Sequence, residues 1–198
     1  MAVGAATNVF HLDGRLCSGP TNIADGQTFP FGGTNLGEIR AGAFTVNHSA
    51  EEITAEEFGG RRVDYVRTGD AAALTAILRE FDAASLALIF PNVSTSSKTG
   101  KPIIKGRSFA TTASGDSIER SGDRASDKVQ KILFAPNSPE HVPAILLYAA
   151  LPLPDAAASL TLSNTAEAGF PVVFEAVHDA NGHLYQIGLL TDLSLAPS

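Results

Sequence analysis

The sequence predicts a mainly β domain: a β-sandwich or open barrel with one flanking α-helix and a long extended loop or arm. Three observations carry this. Apolar and polar residues alternate with period two in several segments, as half-buried strands do. Turn residues punctuate those segments, Gly32-Gly33-Thr34-Asn35 and Asn181-Gly182 among them. Strands and helices do not alternate as they would in a parallel α/β sheet.

Residues 32–91 are the organising stretch. Glycine and asparagine tolerate positive φ, so residues 32–35 read as a turn. In the segment that follows, Phe44 and Val46 share one strand face, and Thr45 and Asn47 the other. Gly37 and Gly42 would weaken a strand interior and point to a bulge or a close backbone approach. Residues 51–58 form a short acidic segment that Gly59-Gly60 breaks, and alternation resumes with Val63 and Tyr65. Ala71–Phe81 fits both periods. Leu74, Ile77, Leu78 and Phe81 have helical spacing, while Ala72, Leu74, Ala76 and Leu78 also alternate as in a strand. Local propensity favours helix there. Asp82 can cap a separate helix, Ala83–Phe90, that stops before Pro91.

These residues resemble a known family. The order Gly-Gly-Thr-Asn-Leu-Gly-Glu (32–38), an alternating strand, an acidic strand, Val-Asp-Tyr-Val-Arg-Thr-Gly (63–69) and Leu-x-x-x-Leu-Arg-Glu-Phe-Asp-x-x-x-Leu-Ala-Leu (74–88) is similar to bacteriophage tail tube proteins. Glu167–Ala176 followed by Asp179-Ala180-Asn181-Gly182 resembles that family's closing hairpin. The likeness covers residues 32–91 and 167–190 and rests on common residue types. It implies a β-sandwich or barrel with one flanking helix, assembled into stacked hexameric rings. It also implies that part of Val66–Phe81 is strand and that the helix starts near Asp82.

Composition sets outer bounds. A chain of 198 residues allows one domain over 1–198, and 44% hydrophobic content can bury a sizeable core. The lone Cys17 excludes an internal disulfide and reads as a small core residue rather than a nucleophile. The first residues lack the basic start and apolar run of a secretion signal, and no stretch approaches the roughly 20 apolar residues of a membrane span. Folding in a cytoplasm, with no membrane partner, is expected. A net charge of −7 argues against gripping nucleic-acid phosphates and suits a surface that DNA passes without sticking.

Residues 1–31 read as an N-terminal arm or hairpin. Val9–Leu12 and Arg15–Cys17 flank Asp13-Gly14, a type I′ turn pair, and residues 18–31 form a loop. After Pro91 the chain turns polar. Residues 94–127 make a basic loop or arm in which only Ile103, Ile104 and Phe109 could act as anchors, and so long a loop is uncommon inside a compact domain. From Lys98 to Lys131, eight Lys or Arg face four Asp or Glu, a balance of +4. From Ile132 to Ser198 there are six Asp or Glu and no Lys or Arg, a balance of −6. The arm, with Lys98, Lys101, Lys105 and Arg107, is therefore complementary to the C-terminal third, which allows one subunit's arm to be steered onto its neighbour. A solvated basic loop accounts for the same residues. The resemblance tilts the choice, since the family's long arms bridge rings. Lys128–Ala135 and Val142–Ala150 read as strands, the second ended by Pro152 and Pro154. Pro171–Val177 and His183–Leu189 read as a hairpin around Asn181-Gly182. No internal repeat is evident.

Motifs for chemistry are sparse. His178 and His183 flank the Asn-Gly turn and could share a metal with Asp179, but no third ligand spacing supports a site, and no metal or cofactor is expected. No nucleophile elbow or phosphate loop is present, and Gly32–Gly37 leads into a strand pattern rather than a helix N-terminus. Glu51, Glu52, Glu56 and Glu57 form an acidic cluster. As a solvated face it needs no further account. On the wall of a tube it would repel DNA phosphates within the roughly 8 Å Debye length.

The expectation is a non-enzymatic structural protein, a self-assembling tail tube subunit of the phage virion. The resemblance implies that it is assembled in the host cytoplasm, surrounds a tape-measure protein and later lets DNA through. The alternative is a monomeric β-sandwich binding module, such as a capsid-decorating or carbohydrate-binding domain. The absence of tryptophan and the presence of only three tyrosines weigh against that.

Overall fold

The computed structural model describes residues 14–24, 27–55, 61–79, 82–83, 86–87, 93–104, 129–154 and 169–196. Its strands, in chain order, are β1 (Gly14–Ser18), β2 (Thr34–Ala55), β3 (Arg61–Leu78), β4 (Val93–Thr95), β5 (Pro102–Ile104), β6 (Gln130–Pro136), β7 (Ala144–Pro154), β8 (Phe170–Ala176) and β9 (Tyr185–Gly188). A short 3-10 turn, Leu190–Asp192, follows.

Six strands form an antiparallel barrel in the order β6-β1-β2-β3-β8-β7, and pairing of β7 with β6 closes it. The barrel is closed rather than open, so its strands satisfy each other's backbone groups all the way round. Inward-facing Leu16, Leu74, Phe134, Leu147, Val172 and Phe174 are fully buried in one cluster. Burying a side chain of that size contributes about 1.5–3 kcal/mol.

β6 and the first half of β7 are apolar on both faces because both faces are covered. Ile132, Phe134, Ile145 and Leu147 point into the barrel. Leu133, Leu146 and Tyr148 point outward and pack with Cys17 under Ile23, Phe31 and Leu193. The loop after β1 and the C-terminal segment thus form a second apolar layer outside the barrel. Lys131 Nζ donates to the Leu195 carbonyl at 2.8 Å, and Ser194 N–H donates to Gln186 Oε1 at 3.0 Å, which holds the C-terminal segment down.

Several expectations are met. Residues 71–78 are strand: Ala72, Leu74, Ala76 and Leu78 are buried while Ile77 is 38% exposed, and this period-two burial between β2 and β8 overrides helix propensity. Pairing shifts register between Leu16 and Cys17, opposite Asn35–Gly37, and again between Arg40 and Ala43, around Gly42. Gly37 takes φ 94° there, and its N–H binds Asn35 Oδ1 at 2.8 Å.

Others are corrected. β1 pairs with β2 and β6 along its two edges, and residues 9–12, expected to form a hairpin with it, lie outside the described residues. The acidic stretch from Glu51 to Ala55 is not a separate segment but the end of β2. β7 runs on through Pro152 and Pro154. Val177 N–H donates to Ala149 C=O, so odd-numbered residues of this part of β7 turn their backbone to β8. The two prolines face the other edge, past the last β6 pair at Gln130, where no N–H is required. The Asn181-Gly182 turn forms, with Gly182 at φ 84°, yet β8 and β9 do not pair with each other. β3 and β7 occupy both edges of β8, so β9 lies on the first half of β7 instead. No α-helix stands as an element among the described residues. Ala83, Leu86 and Ala87 are helical and Leu86 N–H donates to Asp82 C=O at 3.2 Å, but most of the expected helix 83–90 lies outside the described residues. Residues 93–104, which include the start of the expected 94–127 loop, form the β4–β5 hairpin, a separate two-stranded sheet.

Candidate functional site

β2 and β3 outrun the barrel. β1 pairs with β2 only over Thr34–Ile39, and β8 pairs with β3 only over Ala73–Leu78. The two long strands stay paired to each other as far as Ala55 and Arg61. Beyond the barrel they form a two-stranded ribbon whose outer edges pair with no described strand. From Asn47 to Ala55 it extends about 26 Å at roughly 3.3 Å per residue. Among the described residues neither outer edge has a ladder partner, and an edge of that kind is a template for another strand.

The ribbon is polar near the barrel and mixed toward its tip. His48 Nδ1 and Asp70 Oδ1 pair across the strands, both partly solvent-exposed. Glu51 is exposed and lies opposite Val66, which is 47% exposed despite being apolar. Register also places Glu52 opposite Tyr65, and Thr54 and Ala55 opposite Arg62 and Arg61. Register shifts at Ser49/Ala50 and Ile53/Thr54 add local twist.

The predicted residues are placed as follows. Glu51 and Glu52 lie on β2 of the ribbon, whereas Glu56 and Glu57 lie outside the described residues. Lys98 and Lys101 are exposed at the turn and base of the β4–β5 hairpin, and Lys105 and Arg107 lie outside the described residues. The two sets sit on different elements. The hydrogen bonds of Ser96 and Lys101 (Ser96 N–H to Lys101 C=O, 2.8 Å) give the basic turn a defined base.

Around the Asn-Gly turn, Asp179 Oδ1 accepts from Asn181 N–H at 2.9 Å and His183 N–H at 2.7 Å. Desolvation works to raise the Asp179 carboxyl, but those two N–H groups and His183 outweigh it and hold it below the ordinary carboxylate value. His183 Nδ1 lies 3.4 Å from the same oxygen, and its ring packs against Tyr148. His178 Nδ1 contacts Gly182 O at 3.1 Å instead. Among the described residues no three His, Cys, Asp or Glu converge on a metal position. Burial pushes the Cys17 thiol up to about 12, which disfavours the thiolate that nucleophilic chemistry needs.

Sequence reasoning missed Val66 and a groove of about 440 Å³ on the outside of the barrel, lined by Ile23, Phe31, Leu189, Leu190 and Glu140 among others. Apolar alternation stops at Val46, so the ribbon's length left no local sign. The groove joins three separate loops and left no local sign. No protein-family model matches this chain, and no curated protein matches it at a significant level.

Proposed function

We propose that the chain is a tail tube subunit, a structural virion protein that builds stacked rings around a channel. The observation that supports this most is the ribbon. A closed barrel leaves few strand edges, yet here two long edges stand on opposite sides of one projecting hairpin. Pairing the β3 edge of one copy with the β2 edge of the next is a head-to-tail contact, and a head-to-tail contact whose rotation closes gives a ring. The sequence resemblance to tail tube proteins supports the same assembly and supplies the hexameric count, the tape-measure partner and assembly in the host cytoplasm. A stable ring contact needs more than about 1,000 Å² of buried surface, to which ribbon edges and neighbouring barrel faces would both contribute.

On this reading the acidic β2 end, with Glu51 and Glu52, contributes to a wall that repels DNA phosphates. DNA passes without specific contacts, in keeping with the net charge of −7. Light scattering over a concentration series, with negative-stain microscopy of the same samples, tests the proposal. Rings or tubes with a central hole are expected. A monomer at every concentration, including after addition of preformed tail tips as initiators, contradicts it.

A further inference from the structure

We propose that Asn181 is a site of spontaneous covalent modification, converting to aspartate and isoaspartate through a cyclic imide with Gly182, and that Asp179 sets the rate by holding the turn closed. The inference is independent of how copies assemble.

The chemistry begins with the neighbours. Asparagine is a thermolabile residue. The chain has eight asparagines, and Asn181 alone is followed by glycine. The attacking atom is the backbone nitrogen of the next residue, and glycine carries no Cβ to obstruct it. Gly182 N gives its proton to hydroxide and attacks Asn181 Cγ. The N–Cγ bond forms, the Cγ–Nδ2 bond breaks, and the side-chain nitrogen takes a proton from water and leaves as ammonia. Water then opens the five-membered imide. Breaking the new N–Cγ bond gives aspartate, and breaking the original peptide bond to Gly182 gives isoaspartate. Either product places a new carboxylate beside Asp179, and isoaspartate also lengthens the main chain by one carbon. Asn181 and Gly182 are both exposed, and a Cβ on Gly182 would meet nothing within 4 Å, so water reaches the site.

The folded turn opposes the first step. Gly182 N–H donates to the Asp179 carbonyl at 3.0 Å, which holds the proton that must leave. Asp179 N–H donates to the His183 carbonyl at 3.0 Å and closes the loop. The Asp179 carboxylate accepts from the Asn181 and His183 amides, so one side chain fixes the backbone on both sides of Gly182. His178 Nδ1 donates to the Gly182 carbonyl at 3.1 Å. Closing the imide requires the backbone between Asn181 and Gly182 to rotate, and these bonds resist that rotation. Reaction therefore proceeds from the opened turn, and its rate follows the free energy of local opening. Asp179 is a positioning residue in this scheme and takes no part in the bond changes.

The test incubates dilute full-length protein at mildly alkaline pH, with and without urea, and digests it with a Glu-specific protease. No glutamate follows Glu175, so residues 176–198 form one peptide with Asn181 as its one asparagine. Conversion raises the mass of that peptide by about one unit, and enzymatic methylation counts the isoaspartate. Asn137, exposed and followed by Ser138, is the internal control. Asn181 should convert at least tenfold faster than Asn137, and at least fivefold faster in urea than in the folded protein. Asp179→Ala should speed Asn181 at least threefold in the folded protein, leave Asn137 unchanged and match the parent in urea. Asp179→Asn, whose side-chain oxygen still accepts hydrogen bonds, should stay near the parent rate. No mass gain at Asn181, or a rate equal to that of Asn137, overturns the site. Equal rates for folded and urea-treated parent overturn the closed turn as the control, a comparison that needs no variant. An Asp179→Ala rate equal to the parent's, or a rise shared by Asn137 through global unfolding, overturns the role of Asp179.

Discussion

Gly14 lies where β1 passes so close to β6 that a Cβ would sit 2.5 Å from the Ala135 carbonyl oxygen and 2.6 Å from the Phe134 ring. The carbonyl belongs to a closed barrel and cannot retreat. Gly14→Ala is therefore expected to cost about 1–3 kcal/mol through overpacking. At roughly 2–4 °C per kcal/mol for a chain of this size, calorimetry would read that as a clear fall in melting temperature. Gly69→Ala is the control, since nothing lies within 4 Å of its Cβ, and it should change stability little. Asp179 gives a residue-scale prediction in pH. Its folded carboxyl is held below the ordinary value of 3.8, so it contributes stability above that value and loses it as pH falls through the folded pKa. The Asn181 and His183 amides should lose protection, relative to their intrinsic exchange rates, only once pH falls below 3.8 and through the lowered folded pKa. Asp179→Asn should flatten that profile, and identical acid profiles for the two proteins would refute the role of the carboxylate.

Elements were legible in the sequence where their pattern was local. Phe44–Asn47 alternates visibly, and Gly37 and Gly42 marked the places where pairing slips. Ala71–Leu78 was ambiguous because alanine and leucine suit both periods, and only the flanking strands decide it. The β8–β9 pairing was misread for the same reason. Asn181-Gly182 specifies a turn, but nothing local says that β8 already has two neighbours. Closure of the barrel and the covering role of Ile23 and Phe31 depend on residues more than a hundred positions apart. The ribbon's outer edges, which pair with no described strand, are likewise set by where the neighbouring strands stop. Val66 offers the prediction at this scale. It is exposed on the ribbon opposite Glu51, so Val66→Lys gains a cross-strand partner worth about 0.2–1 kcal/mol and leaves the monomer folded. A lysine there guards the ribbon against strand addition. The melting temperature should hold or rise slightly while light scattering shows loss of assembly. Assembly at the unmodified rate would count against ribbon pairing.

For the whole molecule, charge is divided unevenly along the chain. The balance is +4 from Lys98 to Lys131 and −6 from Ile132 to Ser198, which on the proposed tail tube reading lets copies attract each other while a net charge of −7 disfavours DNA binding. Replacing Glu51, Glu52, Glu56 and Glu57 by glutamine tests the second half of that statement. Assembled wild-type protein should not retain DNA at physiological salt, and the quadruple variant should retain it more strongly at low salt, with a melting temperature near that of the parent. A fall of more than about 2 kcal/mol in stability would show these carboxylates to be structural instead.

On the proposed reading the ribbon's outer edges pair between copies. Amide hydrogen exchange across residues 47–55 and 61–71, compared between dilute monomer and purified assembly, reads those edges directly. Amides that face outward on the ribbon should exchange within seconds in the monomer and become protected by at least a hundredfold in the assembly, about 3 kcal/mol of opening free energy. An assembly whose ribbon amides exchange as fast as the monomer's would contradict the account.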